Sequence, residues 1–248
     1  MNSIIKISVL FLVSNFIFMN SPLAVITQKK GEVLYKKYNL EKIDKNINLG
    51  MSIFNNDFFQ TGDDGSFTFL YLDDGTMLKV YKNSELYIRG KVDNNAIKKR
   101  LNVGNGSIRF DVKKQKDEEF TVVTPSSVAS VKGTDFFLNS DGIKDQFFGF
   151  EGTVEIINKE SNSMIRLTKD TKITSLSDGS IEIVAMTQDD LNLIQEIQSS
   201  TIFDENSPNQ GSLIPNESND LNQEIKEIRI KVINDIGEEK EIIIRYTE

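Results

Sequence analysis

Any chemistry in this chain falls to carboxylates, hydroxyls and amines, because its 248 residues include neither His nor Cys. That excludes a Ser-His-Asp triad, a thiol nucleophile, an imidazole metal site, a zinc ribbon and a disulfide framework. Glu151 with Asp135 or Asp145 is one candidate pair for glycoside hydrolysis, which needs two carboxyls about 5 to 10 Å apart. Asp63-Asp64 and Asp73-Asp74, each followed by Gly, offer oxygen ligands to a hard cation. Neither fits an EF-hand loop or the glycine-rich calcium repeat, and solvated turns are the simpler reading. Thr134-Asp135 offers side chains that could line a ligand or partner groove. No metal and no cofactor is implied.

The elements that must position these groups are short strands. Phe67–Leu72 and Thr76–Tyr81 flank the turn Asp73-Asp74-Gly75. Leu86–Ile88, Lys99–Val103 and Ser107–Val112 follow, and in the last of these Ile108, Phe110 and Val112 alternate with Arg109 and Asp111. Further strands are expected at Phe120–Val123, Ser127–Val131, Asp135–Leu138, Gln146–Phe150, Val154–Ile157, Met164–Leu167 and Ile181–Val184. Phe147, Phe148 and Phe150 read as core with one exposed ring. This spacing predicts an all-β body, a sandwich or a β-solenoid-like coil. Thr187-Gln188-Asp189-Asp190 caps one short helix with Leu191, Ile194 and Ile197 as its apolar stripe. A polar stretch suits a flexible linker, and Ile-rich segments around Asp235–Glu239 read as a terminal β-hairpin.

At the N-terminus, Lys6 precedes an apolar run from Ile7 to Met19, with Ser21-Pro22-Leu23-Ala24 after it. Those residues as a helix cover roughly 20 Å, short of a hydrocarbon core of about 30 Å. A cleaved export signal is the expectation, with a retained anchor from Ile4 as the alternative because Pro22 is three residues before the cut. The expected division is a signal at 1–24, an all-β domain at 25–185, an amphipathic helix at 186–199, a flexible linker at 200–224 and an acidic β-hairpin at 225–248. Charge follows this division. The net −8 lies in the tail: from Met186 to Glu248 there are 14 acidic and 5 basic residues, whereas Val25–Ala185 holds 23 of each. An acidic chain with a neutral body makes nucleic acid an unsuitable partner.

One segment is more specific than its surroundings: Thr124-Pro125, then Val131-Lys132-Gly133-Thr134-Asp135-Phe136. It resembles the FecR domain family, whose hallmark is a Thr-Pro…Val-(Arg/Lys)-Gly-Thr-(Asp/Glu)-Phe run. Gly31-Glu32-Val33, Gln60-Thr61-Gly62, Asp74-Gly75-Thr76, Val103-Gly104-Asn105-Gly106-Ser107 and Glu151-Gly152-Thr153-Val154 agree in order, so the resemblance covers about residues 30 to 160. These motif residues also have a structural reading. Pro125 ends a strand, Val128 and Val131 return the chain to the core, and Gly133 and Gly152 serve turns. Phe136 and Leu138 face one side, Asp135 and Phe137 the other.

The resemblance implies an extracytoplasmic domain of a regulator that reaches a sigma factor through a membrane helix and a cytoplasmic helical segment. No such segment is legible before residue 25, so a stand-alone exported form is expected, periplasmic or extracellular, without a stable membrane span after signal cleavage. The leading functional expectation is a non-enzymatic protein-interaction or sensory module that uses its β edges and terminal hairpin. A glycan or cell-wall binding module using Tyr71, Tyr81 and Tyr87 is the alternative. A carboxylate hydrolase built on Glu151 comes third.

Overall fold

The computed structural model describes residues 21–45, 47–93, 96–114 and 120–200, together with the backbone of 226–233 and 239–246. Seven strands open the body: β1 (Ala24–Lys30), β2 (Val33–Lys36), β3 (Ser52–Ile53), β4 (Asp57–Thr61), β5 (Ser66–Tyr71), β6 (Met77–Val80) and β7 (Glu85–Asp93). The long β8 (Ala96–Val112) leads to β9 (Phe120–Val123), β10 (Ser127–Val131), β11 (Thr134–Ser140) and β12 (Lys144–Glu151). The body closes with β13 (Val154–Asn158), β14 (Met164–Leu167), β15 (Thr171–Leu176), β16 (Ile181–Ala185) and the helix α1 (Gln188–Ser199).

β8 organises everything else. Its first half pairs with β7 and β9, its second half with β6 and β11. It therefore belongs to two sheets and turns one into the other. The first sheet runs β3-β1-β5-β6-β8-β11-β12-β15-β16, and the second runs β2-β4-β7-β8-β9-β10-β13-β14. All pairings but β8 with β9 are antiparallel, so the body is a sandwich and not a coil of stacked parallel strands. Two separate strands at Lys99–Val103 and Ser107–Val112 were expected from the glycines between them. Here the chain bends without turning back. Gly106 has φ +122°, a Cβ there would lie 2.1 Å from the Ser84 hydroxyl, and the register slips between Glu85 and Leu86.

The inner faces of both sheets meet in one core. A connected path of rings crosses it: Tyr35, Phe59, Phe67, Phe69, Tyr71, Phe120, Phe110 and Phe136, the last two stacked at 4.3 Å. Leu23 and Ala24 are part of this core, 1% and 0% exposed, and the Leu23 N–H donates to the Ile53 carbonyl. The expected signal boundary after Ala24 thus falls inside the folded body, while residues 1–20 lie outside the described ones.

α1 lies on the outer face of the first sheet. Thr187 and Asp190 form a reciprocal capping box. Ile194 packs with Tyr81, Phe137 and Phe148, and Met186, Phe150 and Ile197 close around them. Leu191 was expected in this stripe but is 39% exposed. Positions three apart drift by about 60° per step around a helix, so Leu191 and Ile197 differ by roughly 120° and cannot both face the sheet. Asp190 reaches across to the Lys172 ammonium at 2.6 Å. Among the described residues no helix is long and apolar enough to cross a membrane. The strands β17 (Lys226–Ile233) and β18 (Glu239–Tyr246) pair antiparallel in a sheet of their own, and the expected linker before them lies outside the described residues.

Candidate functional site

The recognition motif separates into a buried knot, a set of core residues and a groove. In the knot, the Thr124 hydroxyl accepts the Ser127 N–H at 2.9 Å and donates to Asp145 at 2.5 Å. Ser127 and Ser140 hydroxyls donate to the same carboxylate at 2.9 and 2.7 Å. Asp145 is 0% exposed, so these three hydroxyls replace the water it lost. Pro125 is exposed at the corner, and Lys159 closes the turn by donating to the Thr124 carbonyl. Val131, Phe136 and Val154 are fully buried in the core. Val128 is different: it is half-buried on the outer face of the second sheet, because Ser127, Ala129 and Val131 take the inner positions of β10.

Gly133, Thr134, Asp135 and Glu151 line an open groove of about 880 Å³ where the ends of the two sheets meet. Gly152 lies beside it with φ +76°, and a Cβ there would stand 2.6 Å from the Gly133 carbonyl oxygen. That close approach is why this corner requires glycine. Asp111, Asp135 and Glu151 are register partners across β8, β11 and β12, which makes a row of three carboxylates on one wall. Arg109 binds Asp135 at 2.5 Å and lies 3.7 Å above the Phe150 ring. Asp111 pairs with Lys113 at 3.0 Å, and Glu155 with Arg166 at 2.9 Å on the facing wall. The groove therefore presents both signs of charge, suited to a polar segment with charges of its own.

The structure brings Glu151 and Asp135 together but leaves Asp145 at the opposite end of the β11–β12 hairpin, where it pairs with Ser140. Glycoside hydrolysis asks for a proton-donating carboxyl enclosed in an apolar pocket. Glu151 is exposed and Asp135 is held by a guanidinium. The cation candidates resolve differently. Asp73 and Asp74 already hold a cation, the Lys99 ammonium, at 2.7 and 2.9 Å, with the Lys99 side chain only 1% exposed. Asp64 accepts the Glu32 N–H at 3.0 Å and fastens the β1–β2 corner. Among the described residues no group of three or more acidic side chains is placed to hold a metal.

Of the three tyrosines proposed for a glycan surface, Tyr71 and Tyr81 are buried, and burial pushes the Tyr81 phenol up to about 12. Only Tyr87 is exposed, stacked at 4.8 Å on Phe58. With Tyr38, Leu40 and Asn56 these rings line a shallow pocket of about 320 Å³. The phenylalanines also differ from expectation: Phe147 and Phe148 are buried, and Phe150 is half-buried under Arg109, so none of the three is an exposed ring.

No curated protein matches the chain. Two crystal structures, both described as "a putative anti-sigma factor" from Parabacteroides distasonis, are similar to it at 17% identity with a TM-score of 0.46. They align with 54% and 56% of this chain, which spans 62% and 64% of theirs, under two thirds of their length. The family model described as FecR protein matches residues 57–155, from the start of β4 into β13. That stretch contains the Asp145 knot, the β8 crossover and most of the residues that line the charged groove, and over these residues the chain is similar to the FecR family.

Proposed function

We propose that this chain is a non-enzymatic protein-interaction or sensory module of the periplasm or cell surface, exported by its N-terminal leader, and that it works through the β16 edge of the first sheet. One observation carries the reading. Among the described residues β16 pairs with β15 on one side only, and its Ile183 and Val184 are 41% and 43% exposed. Natural sheets guard such edges with lysines, prolines or bulges. The sequence Ile181-Glu182-Ile183-Val184-Ala185 has a single charge and no proline. An apolar strand left open in this way is a template for a partner strand, whose main chain would supply the hydrogen bonds. Ile183→Glu with Val184→Lys would guard the edge. Proteins retained from the periplasmic fraction by the native chain should be lost with this variant, and an unchanged set would sink the edge as the contact.

A second reading, glycan binding, is favoured by the Tyr38, Phe58 and Tyr87 pocket alone. Tyr87→Ala should abolish retention on peptidoglycan if that pocket is used.

A further inference from the structure

The outer face of the second sheet carries a row that only the strand registers reveal. Phe58 is opposite Tyr87, Tyr87 opposite Asn102, and Asn102 opposite Val123. Val123 is opposite Val128, Val128 opposite Ile157, and Ile157 opposite Met164. Starting from Lys36 opposite Phe58, the row crosses eight strands, roughly 34 Å at about 4.8 Å per strand. Six of its side chains are apolar, each half-buried or exposed, with Tyr87 at 41% and Met164 at 56%. No described helix or strand lies over them.

The next row toward the β7–β8 hairpin is basic. Arg89 is opposite Arg100, and the row continues through Thr121, Ser130 and Glu155 to Arg166. Glu155 answers one arginine of the three. Arg89 has a buried Nε without a hydrogen-bond partner among the described residues, and its guanidinium lies 5.9 Å from the Tyr87 ring centre. The body as a whole is neutral, so this face concentrates positive charge beside an apolar line.

The first sheet shows what such a face accepts. Its own outward row is covered by α1, an amphipathic helix with Asp189, Asp190 and Glu196 and no basic residue, tied down through Asp190 to Lys172. We infer that the outer face of the second sheet docks an acidic amphipathic helix of a protein partner, about 20 residues long, with its apolar side on the row from Phe58 to Met164 and its carboxylates on Arg89, Arg100 and Arg166. A bilayer is a poorer fit. Membrane-surface proteins bury protruding apolar groups about 5 to 10 Å deep, whereas Phe58, Val123, Val128 and Ile157 are half-buried in the sheet. This goes beyond the edge reading and uses a different surface.

The test uses the full chain and two labelled peptides of about 20 residues. Both carry Leu at i, i+3, i+4 and i+7 positions; one has Glu and its twin has Lys elsewhere. By fluorescence anisotropy the Glu peptide should bind at least about tenfold tighter than its twin. Arg89→Glu with Arg100→Glu should reverse that order, and Val128→Gln should weaken both peptides while thermal unfolding stays native-like. Twins that bind alike, a Glu peptide that does not bind, or an order that survives the reversal each overturn the inference. So does arginine-dependent flotation of the chain with anionic phospholipid vesicles, which would assign the face to a membrane. Ile183→Glu should leave peptide binding unchanged, so the two readings fail separately.

Discussion

On the first sheet the outward rings of Phe137 and Phe148 are buried to 0% beneath α1, whereas on the second sheet Phe58, Tyr87 and Met164 face outward with no described element above them. Both rows alternate with the same core, and both are flanked by basic groups, Lys172 in one case and the three arginines in the other. The difference is that, among the described residues, an acidic amphipathic helix covers the first face and none covers the second. Apolar area covered within the chain stabilises the fold. The same area left open adds no such stability.

The sharpest way to break this comparison is to remove matched side chains from the two rows. Phe137→Ala deletes a ring that touches Tyr81, Phe148 and the helix, and should cost about 3–5 kcal/mol in urea unfolding. Val128→Ala on the other face should cost under about 1 kcal/mol, because part of that side chain already meets solvent. Comparable losses at the two positions would mean that the second face is covered after all.

Asp190→Asn should come next, at about 1–3 kcal/mol, since it breaks a capping box and leaves Lys172 without its partner. Its pH signature is specific. Burial alone would raise the Asp190 carboxyl, but the Lys172 ammonium and the Thr187 N–H and hydroxyl outweigh it and hold the group below the ordinary 3.8. A folded pKa below the unfolded one contributes stability that is fully present above 3.8 and is lost as the pH falls through the lower folded value. Amide exchange in α1 should therefore accelerate below that pH ahead of exchange in β8. The Asn variant should lack this extra acid sensitivity, and a variant that keeps it would remove Asp190 as the latch.

The covered face was partly legible in the sequence, and the open one was not. Alternation placed β9, β10 and β14 at their observed bounds and put Phe137 opposite Phe136, because one strand's pattern is local information. Thr187 to Asp190 signalled the helix start in the same way. Four early strands escaped. β1 and β2 end in lysines, β3 has only two residues, and β4 begins on the buried Asp57, so none of them shows a clean alternation of apolar and polar positions. Asp57 is tolerated there because it accepts the Phe54 and Tyr38 N–H groups and the Tyr35 hydroxyl, at 2.8, 3.2 and 3.0 Å. Of the groove, the pairing of Asp135 with Glu151 depends on the β11–β12 register, and Lys99 as the cation of Asp73-Asp74 depends on a contact 25 residues apart. The row from Phe58 to Met164 needs seven registers at once. No single strand contains more than one of its residues, so no periodicity in the chain announces it.

The smallest effect separates stability from binding. Leu191 on α1 is 39% exposed and Met164 on β14 is 56% exposed, so Leu191→Gln and Met164→Gln should each change unfolding by no more than about 0.5 kcal/mol. They differ in where they point. Leu191 looks away from the sheet on a helix already seated, whereas Met164 ends the open row beside Arg166. Met164→Gln should weaken the Glu peptide a few-fold, roughly the transfer energy of one partly buried side chain, and Leu191→Gln should leave it untouched. Equal weakening by both would place the peptide on α1 rather than on the second sheet. A comparison between faces that differ in binding while matching in stability is then a direct measure of what covering one of them has done.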